Sequence, residues 1–138
     1  MPFVQVSYGE LFDKITILKI KLDRLKSTTQ INFVESEYKL LNAEVNSLSL
    51  SKEAQEVFEE LLKTNLEIWD DMEAILKFEP DNEGPLFLRA VQRTLKNNVK
   101  RSYLKRRIDD MLDSPLREAK SYFDNVSELL IKEEESEF

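Results

Sequence analysis

From Ala54 to Ile75 the chain sets Ala54, Phe58, Leu61, Asn65, Ile68, Met72 and Ile75 at steps that alternate between four and three. Only an α-helix puts such positions on one side, and a helix with one apolar stripe has to bury it against other helices. The pattern recurs, with start and stop signals, along the rest of the chain. Ser7 and Glu10 form a capping box, with Val6 and Leu11 as its hydrophobic staple, so a first helix is expected from Tyr8 to about Lys26. Asn32 and Glu35 repeat the device before the stripe Val34, Tyr38, Leu41, Val45 and Leu48.

A break at residues 49–51 precedes the third helix, which should stop near Glu79 because Pro80 and the turn sequence E-P-D-N-E-G-P follow. Pro85 suits the first turn of a fourth helix reaching about Leu112. Ser114 and Pro115 are read as the start of a fifth, striped by Leu116, Ala119, Phe123, Val126 and Leu130. No strand is expected. The fold class is all-α, an antiparallel bundle of about five helices, with one domain over residues 1–130 and an acidic tail over 131–138.

The first helix has two apolar faces. At 100° per residue Leu11, Ile15, Leu18, Leu22 and Leu25 form one stripe, while Ile17 and Ile20 lie elsewhere beside Asp13, Thr16 and Arg24. Such a helix is either central in its own bundle or shared with a second subunit, so a homodimer stays open as an alternative.

Composition narrows the chemistry. Without cysteine or histidine there is no disulfide, thiolate or imidazole, and the two glycines, Gly9 and Gly84, cannot build a phosphate-cradling loop. No apolar run approaches the roughly 20 residues of a membrane span. A cytoplasmic protein with no membrane role, no catalytic residue and no cofactor is the expectation.

The net charge of −7 is strongly segregated: residues 51–83 hold 3 basic and 11 acidic side chains, residues 84–108 hold 8 and 0. One account pairs the basic helix with Glu53, Glu56, Glu59, Glu60, Glu67, Asp70, Asp71 and Glu73 of its antiparallel neighbour, which would set register more than stability. The other gathers basic side chains with Asn97 or Asn98 and Tyr103 into an anion site, to which the guanidinium fork of arginine is suited. Nucleic acid is not expected as a partner, because the rest of the chain is acidic and no aromatic residues interleave with the basic ones.

Asn65 interrupts an apolar stripe, and a buried amide without a partner costs about 1–3 kcal/mol, so it needs either a structural hydrogen bond or a ligand. Asn97, Asn98, Arg101 and Ser102 raise the same question on the fourth helix. The candidate ligand-binding set is Asn65, Trp69, Asn98, Arg101 and Lys105: two charges, two amides for orientation and an apolar wall. Its expected ligand is a small anion such as a phosphorylated or nucleotide sugar. A rival from another class is a magnesium-dependent phosphohydrolase using Glu56, Glu59, Glu60, Asp70 and Glu73, on approximate E-x-x-E spacings. A third is a purely structural, partner-binding bundle.

The stretches V-S-Y-G-E-L-F-D-K-I-T-I-L-K-I-K-L-D-R-L, N-L-E-I-W-D-D-M-E-A-I, L-K-R-R-I-D and E-A-K-S-Y, within residues 3–122, resemble a family of small bacterial and phage-borne helical proteins classed as a domain of unknown function. Members are sometimes encoded beside or fused to glycosyltransferases, so the resemblance implies an accessory role in surface-glycan synthesis without assigning an activity. It marks Glu10, Asp13, Lys14, Asn65, Trp69, Glu73, Asn98, Arg101, Lys105, Glu118, Lys120 and Tyr122 as motif positions. The family prefers an acidic residue after the asparagine matched by Asn98, where this chain has Val99, which weakens any role that needs a carboxylate there.

Overall fold

The computed structural model describes residues 1–79 and 84–120. Among them are four helices and no strand: α1 (Tyr8–Arg24), α2 (Thr28–Asn46), α3 (Lys52–Lys77) and α4 (Pro85–Met111). The all-α class holds, and the count of five does not.

Each helix start has a local cause. Ser7, Ser27 and Ser51 sit in extended backbone and accept hydrogen bonds from the N–H of Glu10, Gln30 and Ala54, while Pro85 opens α4. The second helix therefore begins four residues before Asn32. S-T-T-Q carries its own capping signal, and Asn32 instead lends its carbonyl to the Ser36 hydroxyl inside the helix. At Ser7 only half of the expected capping box forms, because Glu10 turns its carboxylate to Lys105 Nζ at 2.8 Å.

No helix starts at Ser114. Asp113 takes a left-handed conformation (φ 51°), and the Ser114 N–H reaches back to the Asp109 carbonyl at 2.8 Å, which closes α4 in a Schellman turn. The buried Ser114 hydroxyl does not cap a new helix. It accepts the Tyr8 N–H at 3.3 Å and donates to the Leu116 carbonyl, and residues 115–120 continue without helix. Phe123, Val126, Leu130, Tyr122 and the acidic tail lie outside the described residues, as do residues 80–83 of the expected turn.

α3 and α4 form an antiparallel hairpin, with charged and polar rungs Arg93–Asp71, Asn97–Glu67, Lys100–Glu60 and Arg107–Glu53. At its far end Phe78 and Phe87 meet edge to face, 5.4 Å apart. α1 lies across the other half of this hairpin, antiparallel to α4, and α2 packs chiefly against α1. Phe12, Val57, Leu61, Leu104 and Ile108 make the buried core between α1 and the hairpin, and Phe58 stands edge-on to Phe12. Leu11, Ile15 and Leu18 of one stripe are buried as well, and so is Ile20 of the other, so both faces of α1 are used within the chain.

Candidate functional site

The contact between α1 and α4 is unusually close at Gly9. A Cβ there would come within 2.3 Å of the Lys105 carbonyl oxygen, so only glycine admits the approach. That approach brings α4 against the first turn of α1, whose N–H groups have no partner within their own helix. Tyr8 donates to Ser114 Oγ, Gly9 donates to Asp109 Oδ1 at 2.7 Å, and Glu10 donates to Ser7 Oγ. The Asp109 carboxylate also lies where the positive end of the helix dipole favours it.

One turn deeper, Asp13 is the hub of a buried polar cluster. It is 1% exposed, accepts Arg101 Nε at 2.8 Å and Nη2 at 2.6 Å as a bidentate pair, and accepts Asn65 Nδ2 at 2.9 Å. The same amide nitrogen reaches Thr16 Oγ1 at 2.7 Å, and that hydroxyl donates to the Asp13 carbonyl. Burial by itself would push the Asp13 carboxyl up. The hydrogen bonds from Arg101 and Asn65, with the charges of Arg101 and Lys105, outweigh that and hold it below the ordinary carboxylate value. Arg101 is correspondingly raised, chiefly by its hydrogen bonds to Asp13.

Two cavities meet at Arg101. One, of about 290 Å³, is polar and lined by Asn98, Arg101, Ser102, Lys105, Glu118 and Lys120. The other, of about 270 Å³, is an apolar trough between α1 and α3, walled by Ile17, Ile20, Ile68, Trp69, Met72 and Leu76. The five sequence candidates divide between them. Asn98, Arg101 and Lys105 share the polar cleft; Asn65, Trp69 and Arg101 border the trough. Asn65 is held by Asp13 and Thr16, and Trp69 donates its indole N–H to Glu73. Asn97 faces α3 and donates to Glu67, and Tyr103 lines neither cavity.

In the cleft, Lys105 is bound to Glu10 and stands 3.9 Å from Glu118, which in turn pairs with Lys120 at 2.6 Å. The five-residue candidate set left out Asp13, Thr16 and Glu118, although the resemblance marks Asp13 and Glu118 as motif positions. For the first two a signal existed: D-K-I-T sets an acid and a hydroxyl three apart beside Ile17 and Ile20, polar groups on an apolar face, as Asn65 is.

Three carboxylates of the hydrolase reading are engaged by separate partners. Glu60 goes to Lys100, Asp70 to Arg24 and Glu73 to Trp69, and no group of three acids able to hold a metal ion occurs among the described residues. Compared with known proteins, the chain matches no family model, no curated protein and no solved structure. No helix among the described residues is long and apolar enough to cross a membrane.

Proposed function

We propose that the chain is a non-catalytic helical binding module whose polar cleft on α4 takes a small anion, the phosphate of a phosphorylated or nucleotide sugar. The observation that carries this reading is the lining itself: Arg101, Lys105 and Lys120 converge with the Asn98 amide on about 290 Å³, and Glu118 is the one acid in the wall. Arg101 spends Nε and Nη2 on Asp13, which fixes the guanidinium plane and leaves Nη1 for a ligand. The Glu118 carboxylate sits loosely against Lys105, at 3.9 Å, where a phosphate oxygen could bind in its stead. In this reading Asn65 supports the site from behind through Asp13, and Trp69 stands apart from the anion. An accessory place in surface-glycan synthesis is the setting that the sequence resemblance adds.

The test is calorimetry and thermal melting against inorganic phosphate, sugar phosphates and nucleotide sugars at low salt. Wild-type protein should bind at least one of them. Lys120→Ala and Asn98→Ala should each weaken that binding about tenfold to a hundredfold, the worth of one hydrogen bond to a charged group. Failure of every phosphate-bearing compound to bind would sink the reading. It would favour the ligand-free structural bundle, for which the engagement of the Asn65 amide N–H groups and of Asp13 within the chain already speaks.

A further inference from the structure

The apolar trough beside the cleft holds one polar atom that the chain leaves unused. Asn65 is 5% exposed, and its Nδ2 donates to Asp13 Oδ1 at 2.9 Å and to Thr16 Oγ1 at 2.7 Å. Its Oδ1 receives no donor from any described residue, yet it is not sealed from solvent. Since Asn65 borders the trough and not the cleft, the trough is where a donor can reach that oxygen. The walls supply none. Ile17, Ile20, Ile68, Met72 and Leu76 are apolar, and half-buried Trp69 spends its indole N–H on Glu73 Oε1 at 2.9 Å. Arg101, at the border with the cleft, is held by Asp13 through Nε and Nη2. The trough is thus an apolar slot with an aromatic ring and a buried acceptor, and it suits a flat apolar body that carries an N–H.

We infer that the trough takes the nucleobase of a nucleotide whose phosphate lies in the polar cleft, the base resting on Trp69 and donating an N–H to Asn65 Oδ1. This rests on the anion reading of the cleft and narrows its ligand from phosphates in general to nucleotides. Arg101 is the link, since it lines both cavities and keeps Nη1 for the phosphate. Size agrees. At about 290 and 270 Å³ each cavity alone falls short of an ordinary ligand site, about 300–1,000 Å³, and the two together lie within that range.

The unpaired amide oxygen then selects among apolar bodies. An alkyl or isoprenyl chain would fill the slot but strip water from Asn65 Oδ1 and return no hydrogen bond, a desolvation that goes uncompensated. A sugar ring brings donors but sets its other hydroxyls against isoleucine and methionine side chains. A base has flat faces that stack on an aromatic side chain and polar groups confined to its edge.

Trp69 is the only tryptophan of the chain, so its fluorescence reports on the trough alone. Titrations of the full chain, followed by fluorescence and calorimetry, should cover inorganic phosphate, a sugar phosphate, AMP, GMP, CMP, UMP, purine riboside monophosphate and dodecyl phosphate. At least one nucleotide should quench Trp69 and bind about tenfold or more tighter than the sugar phosphate, the worth of one stacked base. Trp69→Leu should erase that margin and leave the binding of inorganic phosphate as in the wild type. Trp69→Phe, which keeps a ring, should restore most of the margin. Purine riboside monophosphate has no N–H on its base and should bind about tenfold more weakly than the tighter of AMP and GMP. Nucleotides that bind no tighter than the sugar phosphate, with Trp69 unquenched, would overturn the inference and leave the anion site standing. So would a margin that survives Trp69→Leu, dodecyl phosphate binding tighter than every nucleotide, or purine riboside monophosphate binding as well as AMP and GMP. Failure of every phosphate-bearing compound would remove the anion site itself, and the base subsite with it.

Discussion

The two halves of the α3–α4 hairpin are built from the same two stripes and end in opposite conditions. In the half crossed by α1, polar side chains at the contact are buried or half-buried and find partners across it: Asp13 in Arg101 and Asn65, Asp109 in the Gly9 N–H, Lys105 in Glu10. In the outer half the stripes are apolar and exposed. A sequence read by polarity alone would assign the two halves the other way round. The difference teaches that α1, with its acid at position 13 and its glycine at position 9, selects where α4 can be polar. Arg101 and Lys105 sit where α1 offers each of them an acid, while Leu88 and Leu95 are exposed.

The largest expected effect comes from breaking the covered half at its hub. Arg101→Met leaves the Asp13 carboxylate buried with its charge uncompensated, and should cost about 3–5 kcal/mol in urea unfolding. The double variant Asp13→Asn, Arg101→Met should recover much of that loss, because no uncompensated charge is then left at the hub. The same pair sets an acid limit on stability. The folded-state pKa of Asp13 is depressed, so its contribution is present above the unfolded value near 4 and is lost as pH falls through the folded value. Melting temperature should therefore drop below about pH 4 in the wild type more steeply than in the double variant. Equal slopes would show that Asp13 is not the hub.

Next in size is Gly9→Ala. The added methyl meets the Lys105 carbonyl oxygen, a backbone atom that cannot rotate away, so α1 and α4 must separate and the N–H bonds to Asp109 and Ser114 lengthen. A loss of about 1–3 kcal/mol is expected, against a gain for the same change at an ordinary helix position. A neutral result would mean that the close approach does not govern the covered half. Asn65→Ala belongs in the same range or slightly below, about 1–3 kcal/mol, because Asp13 keeps its bidentate arginine while Thr16 Oγ1 loses a donor.

These expectations also show what could be read from the sequence. Periodicity and caps gave the four helices to within a few residues, since both act through neighbours in the chain. The helix start at Ser114 was misread because Ser114 looks like a cap locally, yet its hydroxyl is taken by Tyr8, 106 residues away. Asn65 was legible as a buried amide needing a partner, but the partner was not, because Asp13 lies on a different helix. Of the candidate site, Asn98, Arg101 and Lys105 fall together because they follow one another on a single helix. Trp69 looked equally near in sequence logic and stands instead in the trough, since its place depends on how α3 is set against α1.

The smallest expected effect lies in the outer half. Arg93 grips Asp71 through Nε at 3.1 Å and Nη2 at 2.9 Å, a geometry as complete as that of Arg101 on Asp13. Yet the arginine side chain is 55% exposed, and water and salt screen what the core does not. Arg93→Ala should therefore cost about 0–1 kcal/mol of unfolding free energy for the single chain, and that cost should shrink with added salt. The contrast with Arg101 isolates burial as the variable, since bond count and distances are alike.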